Sequence, residues 1–129
     1  MAQANTVVHT ADAPTPVGPY SQAIHSGNDL FCSGQIPLDP ATGRLIDGDT
    51  AAQAERVMQN IGALLRAAGF DYAHVIKTTI FLIDMNDFAA VNTVYATYFA
   101  STKPARSTVA VAALPLGARV EIEVLARKN

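Results

Sequence analysis

The stretch Pro104–Glu123, PARSTVAVAALPLGARVEIE, decides the fold, because it holds two alternating apolar runs joined by a short connector. Arg106 opens the first run and Glu121 lies within the second. Alternation of this kind is typical of β-strands with one apolar face. Two adjacent antiparallel strands could bring Arg106 and Glu121 to the same side of a sheet.

Arg106 and Glu121 together have a chemical use. A guanidinium presents parallel donors that match a planar carboxylate ligand, and a nearby carboxylate can hold a water or take a proton from it. Because Glu121 and Glu123 share a face of the second strand, alternation does not choose between them. Spacing alone also leaves open a purely structural interpretation, in which both charges are exposed on edge strands.

Alternation also predicts which side chains of the two strands face the core. In the first strand, Ser107, Val109 and Val111 share the more apolar face, which suits a core. Arg106 and Thr108 would then face solvent or a site. In the second strand the inward set is Val120, Ile122 and Val124.

The composition predicts one compact domain spanning residues 1–129, with residues 1–5 flexible. The chain has 129 residues, of which 50% are hydrophobic and 16% are charged, as in globular proteins. Its formal net charge is −2, and without a basic stripe we expect no nucleic-acid partner. The N-terminus lacks a secretory pattern and no apolar run reaches the length of a membrane span, so we expect a cytoplasmic protein without a membrane partner.

The cysteine and histidines argue against a metal or a thiol nucleophile. Cys32 is the only cysteine, which excludes an internal disulfide. It follows Phe31 in an apolar strand, so we interpret it as a buried, unreactive thiol. The histidines are scattered, and none has a partner at metal-ligand spacing. They are His9, His25 and His74.

The N-terminal half predicts an edge strand, a hairpin and a helix. Ala13–Tyr20 contains three prolines and a glycine, so we expect a stiff loop that holds Tyr20 in place. Thr50 and Gln53 fit a capping box, and the apolar residues after them form one helical stripe that ends before Gly69. The strands are predicted at Thr6–His9, Ala23–His25 and Leu30–Ser33, with a turn between the last two.

The C-terminal half predicts a buried strand, a second helix and the two strands within Pro104–Glu123. Val75–Ile83 is apolar on both alternating faces, which is typical of a central strand buried on both sides. Asn86 or Asp87 caps a helix that reaches about Phe99. The predicted class is therefore α+β, a mostly antiparallel sheet with two helices on one face. Since two helices cover only one face, the other apolar face predicts a homo-oligomer.

Several short blocks resemble the Rid/YjgF family of reactive intermediate deaminases. They occur in family order and span the chain from about Ala13 to Ala126, and the ordered set is far more specific than any block alone. The blocks are PARS from Pro104, VEIE from Val120, GPYSQA from Gly18, SGQIP from Ser33, VIKTTIF from Val75, and NDF from Asn86 with Val91-Asn92.

The resemblance implies a chorismate-mutase-like, YjgF-type α+β fold that assembles as a homotrimer. In that family the sheets form a central barrel and the sites lie in clefts between subunits. The implied activity is cofactor-free, metal-free hydrolysis of enamines and imines of the 2-aminoacrylate and 2-iminopropanoate type to 2-oxo acids and ammonia. The implied substrate is a small imine or enamine that carries a carboxylate.

The resemblance also implies roles for individual residues. Arg106 clamps the substrate carboxylate and Glu121, rather than Glu123, activates the water. The family often has cysteine where Thr108 stands, and the implied contact there is through the backbone amide. The residues implied to shape the rest of the pocket are Tyr20, Ser33, Gly34 and Asn92.

Two other functions stay open at this point. One is a deaminase specific to one pathway, such as an aminomuconate-type enamine deaminase, and the other is a metabolite-binding trimer that uses the same cleft without turnover. RNA cleavage is also attached to the family, but the acidic composition does not support it. The sequence also leaves open whether Arg106 and Glu121 meet within one chain or across an interface, and adjacent strands would permit the former.

Overall fold

A computed structural model of the protein describes residues 5–129, so residues 1–4 of the segment predicted to be flexible lie outside the described residues. The elements in chain order are β1 (Thr6–Val8), β2 (Ala23–Ser26), β3 (Asp29–Gln35), α1 (Thr50–Ala67), β4 (Val75–Leu82), α2 (Phe88–Tyr98), β5 (Ala105–Ala110) and β6 (Val120–Arg127). Single 3-10 turns lie at Tyr72–His74, Met85–Asp87 and Pro115–Gly117.

The six strands form one mixed sheet in the order β1-β2-β3-β6-β4-β5. Every neighbouring pair is antiparallel except β4 and β5, which run parallel. The predicted α+β class with a mostly antiparallel sheet is therefore confirmed. The predicted pairing of the two C-terminal strands is wrong, because β4 lies between β5 and β6.

Both helices pack on the same face of the sheet, as predicted, and we call it the helix face. The apolar stripe of α1 is fully buried there, and Val91 and Tyr95 of α2 join the same core. The residues of β6 that meet the helices are Val120, Ile122 and Val124.

The helix boundaries differ slightly from the prediction. The cap of α1 is Asp49, whose side chain accepts a hydrogen bond from the Ala52 amide at 2.9 Å. Thr50 is already helical and donates instead to Asp87 at 3.1 Å, so the predicted Thr50–Gln53 capping box is wrong by one residue. Gly69 follows the helix with a φ of +81°, the left-handed conformation predicted for its end.

Strand β4 is not buried on both sides within one chain, contrary to prediction. Thr78, Ile80 and Leu82 are buried on the helix face, but Lys77 and Phe81 on the other side are only half-buried. We call this second side of the sheet the open face. Its members follow from the register, because residues that pair across adjacent strands point to the same side. Its apolar members include Phe31, Phe81, Val109 and Leu125, and its polar members include Lys77, Thr79, Glu121 and Glu123.

The faces of β5 are the reverse of the prediction. Arg106 pairs with Thr78, which is fully buried beneath the helices, so Arg106 and Thr108 belong to the helix face. Val109 pairs with Phe81 on the open face and is 43% exposed. The inward set predicted for β6 is confirmed. Consequently Arg106 and Glu121 lie on opposite faces of the sheet, not on one side as predicted.

Candidate active site

Arg106 is held at the edge of the sheet by helix α2. Its Nη1 donates to Asn92 Oδ1 at 2.7 Å. The guanidinium carbon lies 4.9 Å from the centre of the Tyr95 ring and 5.4 Å from that of Phe88, within the range of cation–π attraction. Tyr95 is itself fixed by a 2.8 Å hydrogen bond with Thr78. The group formed by Arg106, Asn92, Tyr95 and Phe88 is called the edge group below.

A cavity of about 490 Å³ adjoins the edge group and is lined by Arg106, Asn92 and Lys103 among others. The guanidinium is exposed on its remaining side, and its planar fork suits a carboxylate. Lys103 lies over the end of α2, where it donates to the Ala100 carbonyl at 3.2 Å. The edge group therefore provides an anion-binding surface.

Thr108 lies beside Arg106 on β5, the terminal strand of the sheet. The amide of Val111, three residues later, donates inward to the Leu82 carbonyl at 2.7 Å. Because successive amides of a strand point to opposite sides, the amide of Thr108 points toward the free edge. Within the described chain the buried hydroxyl of Thr108 has no hydrogen-bond partner. The predicted backbone contact is therefore geometrically available.

Glu121 lies in a different cavity, of about 410 Å³, with Tyr20, Ser33 and Gly34. This arrangement is called the glutamate cavity below. Burial raises the pKa of the Glu121 carboxyl above its ordinary value, and repulsion from the Glu123 carboxylate raises it further. Glu123 is exposed and is not among the cavity's lining residues. A half-buried carboxylate of raised pKa is suited to accepting and returning a proton.

Gly34 makes room for the Glu121 carboxylate. A Cβ at this position would overlap Glu121 Oε2 and would lie 2.9 Å from Cδ. The pairing of β3 with β6 is irregular between Cys32 and Gln35, which is typical of a bulge that redirects side chains near a site. A side chain at position 34 would therefore displace the carboxylate.

Tyr20 is held near Glu121 by a loop that depends on Gln22, a residue that the sequence reasoning missed. Gln22 is 2% exposed. Its Nε2 donates to the carbonyls of Thr10, Ala13 and Pro14 at 2.9 to 3.2 Å, and its Oε1 accepts from the Thr10 amide at 2.8 Å. The sequence signal for Gln22 was its position directly before an apolar strand. That pattern is too common to identify a loop-fixing residue by itself.

Ser33 and Cys32, both on β3, have structural roles. Ser33 Oγ donates to the Ser21 carbonyl at 2.6 Å, and its amide donates to the Gln22 carbonyl at 2.9 Å. These bonds tie β3 to the end of the proline-rich loop. The interpretation of Cys32 as a buried thiol is confirmed, and burial raises its pKa to about 12.

The predicted site residues therefore form two groups that one chain does not unite. One group, Arg106, Asn92 and Thr108, lies on α2 and β5. The other group lines the glutamate cavity and consists of Glu121, Tyr20, Ser33 and Gly34. Arg106 pairs with Thr78 and Glu121 pairs with Phe81, on opposite sides of β4. Because these positions are also three residues apart along β4, the Cα atoms of Arg106 and Glu121 are separated by about 14 Å. The sequence left open whether they act within one chain or across an interface, and within one chain this arrangement does not bring them together.

Neither group has the composition of a metal centre. Across residues 5–129, no three His, Cys, Asp or Glu side chains are placed to hold a metal ion together. None of the described helices is long and apolar enough to cross a membrane.

Comparison with known proteins relates this arrangement to one family. A family model described as Endoribonuclease L-PSP matches residues 10–128. The chain is 48% identical over 120 residues to the 2-iminobutanoate/2-iminopropanoate deaminase of Mus musculus, covering 93% of this chain and 89% of the mouse protein.

Two solved structures from E. coli are also similar. The YjgF gene product has a TM-score of 0.92 and 42% identity, with 96% of this chain and 99% of that chain covered. TdcF with bound serine has a TM-score of 0.92 and 40% identity, with the same coverage. A match of this extent in sequence, sheet order and helices goes well beyond a shared fold, and it places the chain in the Rid/YjgF family, to which the Endoribonuclease L-PSP model corresponds.

Proposed function

We propose that this protein hydrolyses 2-imino acids and their enamine tautomers to 2-oxo acids and ammonia, without a cofactor. The observation that carries the proposal is the pair of complementary groups, an arginine presented for a carboxylate and a half-buried glutamate of raised pKa. The deaminase from mouse, 48% identical over nearly the whole chain, supports the same reaction. Serine bound to TdcF supports a ligand of amino-acid size that carries a carboxylate.

The proposed substrate is bound by Arg106 and the Thr108 amide through its carboxylate. This orientation presents C2, the carbon of the C=N bond, to a water held by Glu121. Tyr20, Ser33 and Gly34 shape the wall beside the carboxylate, and Asn92 orients Arg106. Holding the reactants in this geometry supplies much of the catalysis, because an iminium carbon is already electrophilic.

The reaction needs only one group to move protons. Glu121 takes a proton from the water as its oxygen attacks C2, which leaves a carbinolamine. The protonated Glu121 gives that proton to the nitrogen, the C–N bond breaks, and ammonia leaves. The hydroxyl proton returns to Glu121 as the carbonyl forms, and the ammonia takes it away as ammonium.

We further propose that the protein is a single-domain, cytoplasmic homotrimer with a site at each subunit interface. Support comes from the apolar part of the open face, with Phe31 and Val109 exposed, and from the free edge of β5. Docking the edge group of one copy against the glutamate cavity of the next would unite the two groups. A central barrel of three sheets would also bury the open face.

The test is a coupled assay in which a pyridoxal-phosphate dehydratase releases 2-aminoacrylate from serine. We expect the protein to accelerate pyruvate release over the spontaneous rate. Arg106→Ala and Glu121→Ala should each remove the acceleration while they retain the wild-type circular dichroism spectrum. Arg44→Ala and Asp47→Ala are matched controls on exposed residues outside both cavities, and they should stay active. If the protein accelerates the hydrolysis of no imino acid, the proposal is contradicted and a binding protein is favoured.

A further inference from the structure

The lining of the glutamate cavity is in large part apolar. Its apolar wall consists of Pro14, Val17, Ile36, Leu38, Pro115 and Leu116. The cavity's volume of about 410 Å³ lies within the size range of small-molecule sites. It is larger than a substrate with a methyl side chain needs.

The innermost polar side chains of the cavity are already hydrogen-bonded to the protein. Both ends of the Gln22 amide are used by the proline-rich loop. Ser33 Oγ donates to Ser21, and Gln35 Nε2 donates to the Ser33 carbonyl at 3.2 Å. A polar substrate side chain that enters beside Gln22 and Ser33 would lose its water and meet donors that are already engaged by the protein.

Leu116 stands out on this wall because of its backbone. Its φ of +57° and ψ of +19° are left-handed, a conformation that bulky residues rarely adopt. Glycine or asparagine would adopt it with less strain. The leucine side chain is also 64% exposed although it lines the cavity. A strained, exposed apolar residue at the rim of a site is a feature that points to a role in ligand binding.

The geometry points to Leu116 as a specificity-determining residue, which with the apolar wall selects 2-imino acids that carry aliphatic side chains. This inference rests on the proposed function. With the carboxylate directed to the edge group, C2 still carries the imine nitrogen and the side chain. Because Glu121 gives a proton to the nitrogen, the nitrogen lies on the side of Glu121. The side chain is then the substituent directed toward the apolar wall, where Leu116 covers it.

The inference predicts an order of substrates. The imine derived from leucine should have a higher kcat/KM than that derived from alanine, because more apolar surface is buried. Asparagine has nearly the shape of leucine but carries an amide, so its imine should be the poorest of the three. We expect about a tenfold or greater advantage of the leucine imine over the asparagine imine.

The experiment generates the three imines in situ with D-amino-acid oxidase from D-leucine, D-alanine and D-asparagine. Semicarbazide traps the imine that escapes hydrolysis, so kcat/KM is obtained for each substrate. Leu116→Asn keeps the size of the side chain and suits the left-handed backbone. It should lower kcat/KM for the leucine imine about tenfold more than kcat/KM for the alanine imine. Leu116→Met should retain the preference, because it keeps an apolar side chain.

Met85→Asn is the matched control, because Met85 is an exposed apolar residue outside the sheet and outside the cavity. It should leave the order of substrates unchanged. The inference is overturned if wild-type protein hydrolyses the leucine and asparagine imines equally, and the proposed function then stands. It is also overturned if Leu116→Asn affects all three imines equally or changes the mass in solution, since Leu116 would then be an assembly residue. Inactivity of wild-type protein toward every imine would overturn both proposals.

Discussion

Glu121 must be ionised to take a proton, yet its surroundings favour the neutral form. Burial raises the pKa of its carboxyl, and the charge of Glu123 raises it further. A raised pKa in the folded state means that protonated Glu121 favours folding. This contribution is fully present below the ordinary pKa of 4.5 and is lost as pH rises through the folded pKa. At neutral pH the ionised glutamate therefore destabilises the fold.

Replacing Glu121 with glutamine should abolish turnover and stabilise the protein at the same time. The neutral amide removes the base and also removes the buried charge, the trade-off expected of a catalytic group. Urea denaturation should show a higher free energy of unfolding for Glu121→Gln than for wild type at about pH 8 and no gain at about pH 3.5. The exposed neighbour Glu123→Gln should show a smaller gain. A gain of equal size at both pH values would contradict the assigned cause.

Asn92 contributes to the site through Arg106. The 2.7 Å hydrogen bond from the guanidinium fixes its rotation above the rings of Tyr95 and Phe88. The sequence alone provided no reason to assign Asn92 to a site, because nothing in the helical pattern shows that β5 brings an arginine beside it. Only the resemblance indicated a role.

Asn92→Ala should raise KM about fivefold to tenfold with little change in kcat, because it weakens carboxylate binding and leaves Glu121 in place. The measurement is a steady-state assay with an imino acid. Thr93→Ala is the control on the same helix, since its hydroxyl bonds only to the Ala89 carbonyl of its own helix. A drop in kcat without a change in KM would instead place Asn92 beside the reacting atoms.

The helices could be predicted because their signals are local. The stripe of α1 repeats every three or four residues and meets a single core, and the end at Gly69 needs only a left-handed residue. The exact cap could not be predicted, because Asp49 and Thr50 are both good capping residues in succession. The tertiary bond from Thr50 to Asp87 decides between them.

Asp49→Ala should lower the free energy of unfolding by about 1 kcal/mol, since it leaves the Ala52 amide at the start of α1 without its partner. Chemical denaturation monitored by circular dichroism measures the change. Asp47→Ala removes the same charge from an exposed position two residues earlier, outside the helix, and should have almost no effect. Equal losses for the two variants would indicate a general charge effect.

The strand order could not be predicted, because it depends on contacts between distant segments. Strand β6 lies between β3 and β4. Strand β4 therefore separates β6 from β5, its neighbour in sequence. Alternation correctly divided β5 into two faces, but it assigned Val109 to the core because valine is apolar. Val109 lies on the open face instead. Patterns in one chain do not distinguish a core from a surface that another copy covers.

At the scale of the whole molecule, the two halves of the site have complementary positions. The edge group lies at a sheet edge, where β5 has no further strand, and the glutamate cavity opens on the face that the helices leave uncovered. A rigid sheet cannot fold its own edge onto its own open face, so the two groups can meet only if a second copy provides one of them. In the proposed trimer each copy would give its edge group to one neighbour and receive one from the other.

Mixing two inactive variants tests this arrangement directly. Arg106→Ala retains the glutamate cavity and Glu121→Gln retains the edge group. If each site uses one group from each of two subunits, unfolding and refolding an equal mixture should restore about a quarter of the wild-type activity, because random pairing leaves that share of sites intact. The double variant mixed with wild type is the control for subunit exchange. A mixture that forms trimers but stays inactive would contradict the shared site and require both groups to act within one chain.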